Sequence, residues 1–482
     1  MNIEQNLIGG KWQSASDWTE VFNPADGSIL GKVPSSTEAD AQAALVAASD
    51  AFPAWSRLNP FQRAAYLRRA AQLVTAEQEA IARLMTLEQG KPLAEALGEV
   101  KKGAEILRFY AEEGERIHGK IVPNADLGVE SRVVYEPLGV AVAISPWNYP
   151  IELLAWKVGA ALASGCTVVC KLPSETPFSP IAFIKCVEKS GLPAGVVNCL
   201  TGPGPVLGPP LIKSPLVKKV AFTGSTAVGK QIARYAAESD TFKKVSLELG
   251  GSLPMIVCAD CDLALAVKGA VRRSFRNMGQ ICIAINRIYV EASIYEKFLE
   301  QFAAETSKLK IGNGLTDQCD LGPMCTAKGV KTTERHLADA VGKGARLLCG
   351  GTKPEGDAFK NGNFYKPTVL ADVTHEMLVM REESFGPIVG VMSFQTLDEA
   401  IALANDSPYG LAAIIYTDSL SAMEQAAREI EAGNIAVNNV DAGVINAPYG
   451  GFKQSGLGYE HAREGLFEYL RTKHIRVKKG ES

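Results

Sequence analysis

Between Gly139 and Gly250 short apolar runs alternate with helical stretches, and this alternation constrains the fold more than any other feature of the chain. Val140–Ile144, Thr167–Cys170, Val196–Leu200, Val220–Phe222 and Val245–Leu249 are short, largely apolar and rich in β-branched residues, as strands buried on both faces must be. Ile151–Ala163, Pro180–Lys189 and Thr226–Ala237 carry helical spacing between them. The pattern predicts βαβ units, and therefore an α/β fold with helices on both faces of a parallel sheet. Such sheets take ligands at the carboxyl ends of their strands. A second α/β pattern runs from Leu253 to about Asn438, with strands expected at Ile288–Val290, Ile388–Ser393 and Ala412–Tyr416. Loops are expected at Gly312–Gly314, Gly350–Gly351 and Pro448–Gly451. Before all this, the first 120 residues or so read as a short β start followed by helix, over Asp40–Ala82 and Pro92–Gly114. Gly119–Glu136 and Arg471–Gly480 are weakly apolar and β-favouring, as extra strands in an assembly contact would be.

Composition narrows the function. A chain of 482 residues has room for two to three domains with deep cores. Its formal net charge of −3 and its lack of a long Lys/Arg run argue against nucleic-acid binding. Met1–Asp17 is polar, without a signal-peptide core, and no apolar stretch reaches the roughly 18–20 residues of a membrane span. No membrane association is expected, and the cytoplasm is the expected compartment. Ten cysteines in a chain this long make no disulfide framework, and most lie in apolar runs. Cys258 and Cys261 have CxxC spacing without a second pair or a matching histidine, and the five histidines are scattered, so no metal site is expected.

Four segments carry the chemistry. They are Pro146-Trp147-Asn148-Tyr149-Pro150, the strand–turn–helix Phe222 to Gly229, Leu247-Glu248-Leu249-Gly250-Gly251, and Asn277-Met278-Gly279-Gln280-Ile281-Cys282. In this order, and over essentially the whole chain, the sequence resembles the aldehyde dehydrogenase superfamily, nearest to its succinate-semialdehyde dehydrogenase-like, non-acylating members. The spacing of Glu248 and Cys282 fits that family too. The resemblance implies a Rossmann-type cofactor domain (residues 1–120 and 139–250), an α/β catalytic domain (251–460) and a small β oligomerisation element (121–138 and 467–482). It further implies a homodimer or homotetramer.

Aldehyde oxidation explains why these residue types are needed. An aldehyde gives up hydride only after a nucleophile has added to its carbonyl, and a cysteine thiolate both adds readily and forms a thioester that water can cleave. Cys282, in a Gly-Gln-containing loop, is the candidate; the plain alternative is one more buried cysteine. Asn148, a neutral amide, suits the oxyanion together with the backbone N–H of Cys282, although Asn before Tyr-Pro also suits a turn. Glu248, at a strand end among apolar neighbours, suits the base that activates water, or else a structural ion pair. Family members that pass the acyl group to coenzyme A lack this glutamate, so its presence points to hydrolysis.

Gly224 to Lys230 nearly fits a nucleotide P-loop, but Gln231 stands where the Mg²⁺-binding hydroxyl belongs, which rules that reading out. A helix start after a glycine turn still favours a pyrophosphate. The resemblance puts Gly224, Ser225 and Gly229 there, with Ser145, Pro146, Trp147 and Leu249 also beside an NAD or NADP cofactor. It gives Lys171 to the adenosine ribose and Glu383 and Phe385 to the nicotinamide end. Ser174 stands where the family often has a glutamate that repels a 2′-phosphate, so NADP should be tolerated; Glu175, one position later, works the other way. For the substrate, Tyr149, Trp156, Ile281 and Ile283 match tunnel-lining positions, or are plain core residues. Arg276 matches the arginine that holds a distal carboxylate in semialdehyde dehydrogenases, and its bidentate guanidinium suits that task. Trp156 replaces a second arginine of those enzymes, Gly443 a serine, and Ala284 a cysteine. A small aldehyde with an anionic or polar tail, such as succinate semialdehyde, is the leading substrate. Small neutral or hydroxylated aldehydes of the lactaldehyde or glycolaldehyde type are the alternative, and a catalytically silent binding protein the remote one.

Overall fold

The computed structural model describes residues 2–478. The five strands expected between 139 and 250 form the parallel centre of an eight-stranded sheet. Its spatial order is Lys244–Glu248, Val217–Thr223, Val140–Ile144, Thr167–Lys171, Val197–Leu200. The first strand in the chain therefore sits in the middle. Its successors build outward on one side, then the chain crosses to the other side at Val217–Thr223. The switch point between Val140–Ile144 and Val217–Thr223 leaves a crevice at the carboxyl ends, where open α/β sheets bind ligands. Antiparallel strands close both edges, Asn6–Ile8 and Lys11–Gln13 on one side and Gly456–Leu457 on the other.

Gly456–Leu457 pairs with Lys244–Glu248, so the chain returns to the first sheet after building the second. That second sheet has seven strands, ordered Arg346–Cys349, Thr368–Ala371, Ile388–Phe394, Ile285–Glu291, Leu253–Val257, Ala412–Tyr416, Asn434–Val437, and all are parallel but the first. Only Leu249 to Ser252 separate the last central strand of the first sheet from the first strand of the second. The carboxyl edge of one sheet consequently faces the amino edge of the other. A third, antiparallel sheet pairs Leu470–Lys478 with Val129–Pro137 and that strand with Lys120–Val122. Lys479 and Gly480, at the end of the β-prone tail, and the rest of 479–482 lie outside the described residues, as does Met1.

The helical region before residue 120 is more divided than its periodicity predicts. Asp40–Ala82 falls into three helices, Glu38–Ser56, Pro60–Ala76 and Gln78–Gln89. Thr37 with Asp40, and Asn59 with Gln62, form reciprocal capping boxes that start the first two, and Pro60 takes the first helical position, where its missing N–H costs nothing. The β start is longer than expected, reaching Pro34. The expected helix at 180 begins earlier, at Phe178, because the buried Glu88 carboxylate accepts from the amides of Phe178 and Ser179 at 2.6 and 2.7 Å. Glu99 does the same for Ile151 and Glu152, at 2.9 and 3.3 Å. No helix among the described residues is long and apolar enough to cross a membrane.

Candidate active site

The two facing sheet edges enclose two cavities. One, of about 590 Å³, opens at the switch point and is lined by Pro146, Trp147, Thr223, Gly224, Ser225, Leu249, Gly250, Glu383 and Phe385, among others. The other, of about 340 Å³, is lined by Tyr149, Trp156, Arg276, Ile281, Ile283 and Tyr449 with several charged side chains. Asn148, Leu153 and Cys282 belong to both walls. Cys282 thus belongs to the walls of both cavities, where a molecule in either can reach it.

Cys282 lies three residues before the strand Ile285–Glu291, on the amino edge of the second sheet. Ahead of it Asn277, Met278 and Gly279 all have positive φ, at 49°, 58° and 69°. Only Gly takes such angles freely, so two non-glycine residues are held there by their surroundings. The holding is visible. Gln89 donates to Asn277 Oδ1 at 2.9 Å, Asn277 Nδ2 donates to the Asn148 carbonyl at 3.2 Å, and the Cys325 amide donates to Gln280 Oε1 at 2.9 Å. Lys91 adds a bond to the Asn148 carbonyl at 2.8 Å and lies 3.9 Å over the Tyr149 ring. Gly251 is needed for close approach, since a Cβ there would stand 2.3 Å from the Cys282 carbonyl oxygen. Asn148 itself is buried and donates through Nδ2 to the Gln280 carbonyl at 2.9 Å, leaving its second amide hydrogen uncommitted.

The electrostatics hold the site in reserve. Burial, then Glu383 and Glu248, push the Cys282 thiol up to about 12, and the Tyr449 hydroxyl lies 4.0 Å from its sulfur. Glu248 ends the strand Lys244–Glu248, buried, with no hydrogen-bond partner for either carboxyl oxygen among the described residues. Burial and then Glu460 hold it well above the usual carboxylate range, partly offset by Lys157. It is on neither cavity wall, but lies close enough to raise the Cys282 thiol. Behind it, Lys157 Nζ pairs with Glu460 and bonds Thr223 Oγ1, both at 2.6 Å. Lys157→Met leaves Glu460 as a buried charge without its partner. The expected cost is about 3–5 kcal/mol, read from the urea midpoint; a change within experimental error would show the pair to be dispensable.

The crevice at the switch point fits a dinucleotide. Ser225 caps the helix Thr226–Ala237 without a side-chain cap bond, so first-turn N–H groups remain for an anion. Gly250 keeps a space that a Cβ would fill, 2.6 Å from the Glu383 carboxylate, while the Gly251 amide holds Glu383 at 3.0 Å. Burial pushes Glu383 up to about 7. Phe385, at φ 45°, meets the Trp147 ring edge-on at 5.5 Å between centroids. Ser145 is buried beside them with its hydroxyl unpartnered. Gly229 is set back from the cavity wall, where a Cβ would come 2.5 Å from the Leu249 side chain. Lys171 and Ser174 are also off the wall, Ser174 Oγ lying 3.5 Å from the Gly202 carbonyl, and it is Glu175 that lines the cavity.

The aldehyde dehydrogenase family model matches residues 12–475. The chain belongs to the aldehyde dehydrogenase family. It is thereby an NAD(P)-dependent aldehyde oxidoreductase. This aldehyde dehydrogenase is 43% identical to the NADP(+) succinate-semialdehyde dehydrogenase of Escherichia coli, over 98% of this chain and 97% of that protein. It is also 43% identical to a 3-sulfolactaldehyde dehydrogenase of Pseudomonas putida, over 98% and 96%. Among solved structures, an E. coli NADP-dependent enzyme superposes with a TM-score of 0.96 at 43% identity, covering 98% of both chains. Betaine aldehyde dehydrogenase of Staphylococcus aureus, solved with NAD+, gives 0.96 at 34% identity over 99% of this chain and 95% of that one.

The motifs name Cys282, Asn148 and Glu248 as candidates but do not point to the residues packed around them, which the sequence reading missed. Gln89, Lys91, Glu99, Lys157, Tyr449 and Glu460 come from elements remote in the chain and carry no local signal of a role. His461 was also missed; it stacks on Trp156 at 3.7 Å and on Tyr449 at 4.8 Å, forming one wall of the smaller cavity. Only its place just before a short helix, at φ 61°, marks it.

Proposed function

We infer that Cys282 attacks the aldehyde carbonyl from the junction of the two cavities, and that the enzyme releases a free carboxylic acid. The placement of Cys282 on both walls carries the reading. The aldehyde enters from the Tyr149–Trp156 side. Its oxygen is held by the uncommitted Asn148 amide hydrogen and the Cys282 N–H, a donor of this kind lowering the barrier by about 2.7–4 kcal/mol. Addition gives a thiohemiacetal. The nicotinamide cofactor, when bound in the larger cavity near Glu383 and Phe385, supplies the hydride acceptor. The resulting thioester is cleaved by water, with Glu248 as base. Glu248 must first lose its proton and its burial, and the neighbouring Lys157–Glu460 pair is the polar group placed to receive that proton. Ser174 brings no charge against the 2′-phosphate of NADP, while Glu175, on the wall, disfavours it.

The substrate is a small semialdehyde whose anionic tail faces Arg276. Arg276 lines the smaller cavity, and among the described residues its one ion-pair partner is Glu95, 3.6 Å from Nε. Arg276→Ala is expected to lower kcat/KM for succinate semialdehyde by about ten- to a hundredfold and to leave an isosteric neutral aldehyde little changed. Equal losses for both would favour a second reading, in which Arg276 serves Glu95 as scaffold and the substrate is a small neutral or hydroxylated aldehyde. Trp156, buried and stacked on His461 where semialdehyde dehydrogenases have another arginine, is the observation on that side. The protein acts as a homodimer or homotetramer joined through the exposed sheet of Lys120–Val122, Val129–Pro137 and Leu470–Lys478. Ile121, 79% exposed there, supports a contact. Ten free cysteines fit the reducing cytoplasm.

A further inference from the structure

Six charged side chains line the smaller cavity, Glu99, Lys102, Glu152, Arg273, Arg276 and Asp441, and three of them are already occupied. Glu99 pairs with Lys91 at 2.5 Å and also accepts from the amides of Ile151 and Glu152. Asp441 is held by Arg273 and, at 3.1 Å, by Arg272. The other three have bonding capacity left. Arg276 reaches only Glu95, at 3.6 Å, and Lys102 only the half-exposed Glu105, also at 3.6 Å. Glu152 has no side-chain hydrogen bond or ion pair among the described residues, although it faces a cavity that also contains the nucleophile.

Helix capping does not explain Glu152. It opens the helix Glu152–Ser164, where a carboxylate does favour the dipole, but the amide bonds of that helix start are made by Glu99. An acid with only that task would sit as well on the outer surface. Here it is half-buried, and burial and then Glu99 push it up to about 6, against the pull of Lys102 and Arg276. A half-buried carboxylate without donors is costly unless something brings one. Trp156 Nε1, buried on the same wall without a hydrogen-bond partner among the described residues, is a second polar group left open. There is also room: beyond its own helix turn, no described atom lies within 4 Å of where a Cβ of Gly98, on the cavity wall, would stand.

We propose that Glu152 is a specificity-determining residue that accepts a hydrogen bond from a hydroxyl on the substrate, between the aldehyde carbon and the anionic tail. The preferred substrate is then a hydroxylated semialdehyde: Arg276 and Lys102 face its anion, and Glu152 takes its hydroxyl. An ammonium group in that place would satisfy Glu152 but would lie beside two cations, so the hydroxyl is favoured. This assignment rests on the reading of the cavity as the aldehyde's entry.

The test compares kcat/KM for 4-oxobutanoate with its 2-hydroxy, 3-hydroxy and 3-amino derivatives, in wild type, Glu152→Leu and Glu152→Gln. The wild type should prefer one hydroxylated compound by about ten- to a hundredfold, the range of a hydrogen bond to a charged group. In Glu152→Leu that ratio should fall to near one, and in Glu152→Gln, which keeps a carbonyl acceptor but not the charge, a preference of about two- to tenfold should survive. Glu152→Ala carries the same expectation if the leucine prevents folding. A wild type indifferent to the hydroxyl, a preference that outlasts Glu152→Leu, or a preference for the amine each overturns the assignment while leaving the reaction intact. Failure of the wild type to oxidise any of the four overturns the underlying reading as well.

Discussion

Cys282→Ala is expected to lower aldehyde oxidation by on the order of 10⁴-fold or more, with the fold retained. Alanine keeps the Cβ and removes only the sulfur, whose side-chain contact with the Tyr449 hydroxyl is long, at 4.0 Å, so little bonding is lost. Acid-quenched wild type should carry the acyl group on a peptide containing Cys282, seen by mass spectrometry. The other nine cysteines should be unmodified. Turnover within tenfold of wild type, or an adduct on another cysteine, would rule the mechanism out. The same sulfur makes a pH prediction. Burial favours the neutral thiol and puts its pKa at about 12, so the thiolate fraction grows as pH rises towards that value. In the cofactor-free enzyme, iodoacetamide should therefore alkylate Cys282 slowly at pH 7 and about tenfold faster for each unit up to pH 10. A rate already flat at pH 8 would mean that the resting site is activated.

Glu248→Gln should separate the two halves of the reaction. Glutamine has nearly the same volume and cannot take a proton, so addition and oxidation should persist while thioester cleavage slows by about 10²–10⁴-fold. The expected record is a burst of reduced cofactor near one equivalent per site, a slow steady state, and an acylated Cys282 that accumulates. A steady-state rate within threefold of wild type would remove Glu248 from hydrolysis. Loss of the burst together with the steady state would instead place it in the addition step. The carboxyl has no hydrogen-bond partner among the described residues, so its replacement breaks none of their bonds, and the kinetic effect is not confused with a packing defect.

Several elements were legible because their signals are local. Val140–Ile144 and Thr167–Lys171 are short apolar runs, and burial on both faces requires that. The turn after Val217–Thr223 needs Gly224, since a Cβ there would meet the Phe222 ring at 2.5 Å, and that requirement is written in the glycine itself. Cys282, Asn148 and Glu248 were visible through ordered motifs, each next to a strand end. By contrast, Asp40–Ala82 looks like one periodic stretch, and its division into three helices depends on how each segment packs. Glu88 and Glu99 carry no local signal of burial, yet each sits buried at the start of a helix that lies far along the chain.

The amino-acid order by itself determined the parallel centres of the two sheets, the strand ends near which the candidate groups stand, and the family to which the chain belongs. These follow from side-chain periodicity and from turn residues whose backbone demands are met within a few positions. Tertiary structure decided the state of those groups: a thiol held neutral, a carboxyl kept dry, an amide aimed at a carbonyl, and Glu152 left facing a cavity without a donor. Each depends on desolvation and on partners such as Lys157 with Glu460, 303 positions apart, and no local pattern encodes which distant side chains will share a low-dielectric space.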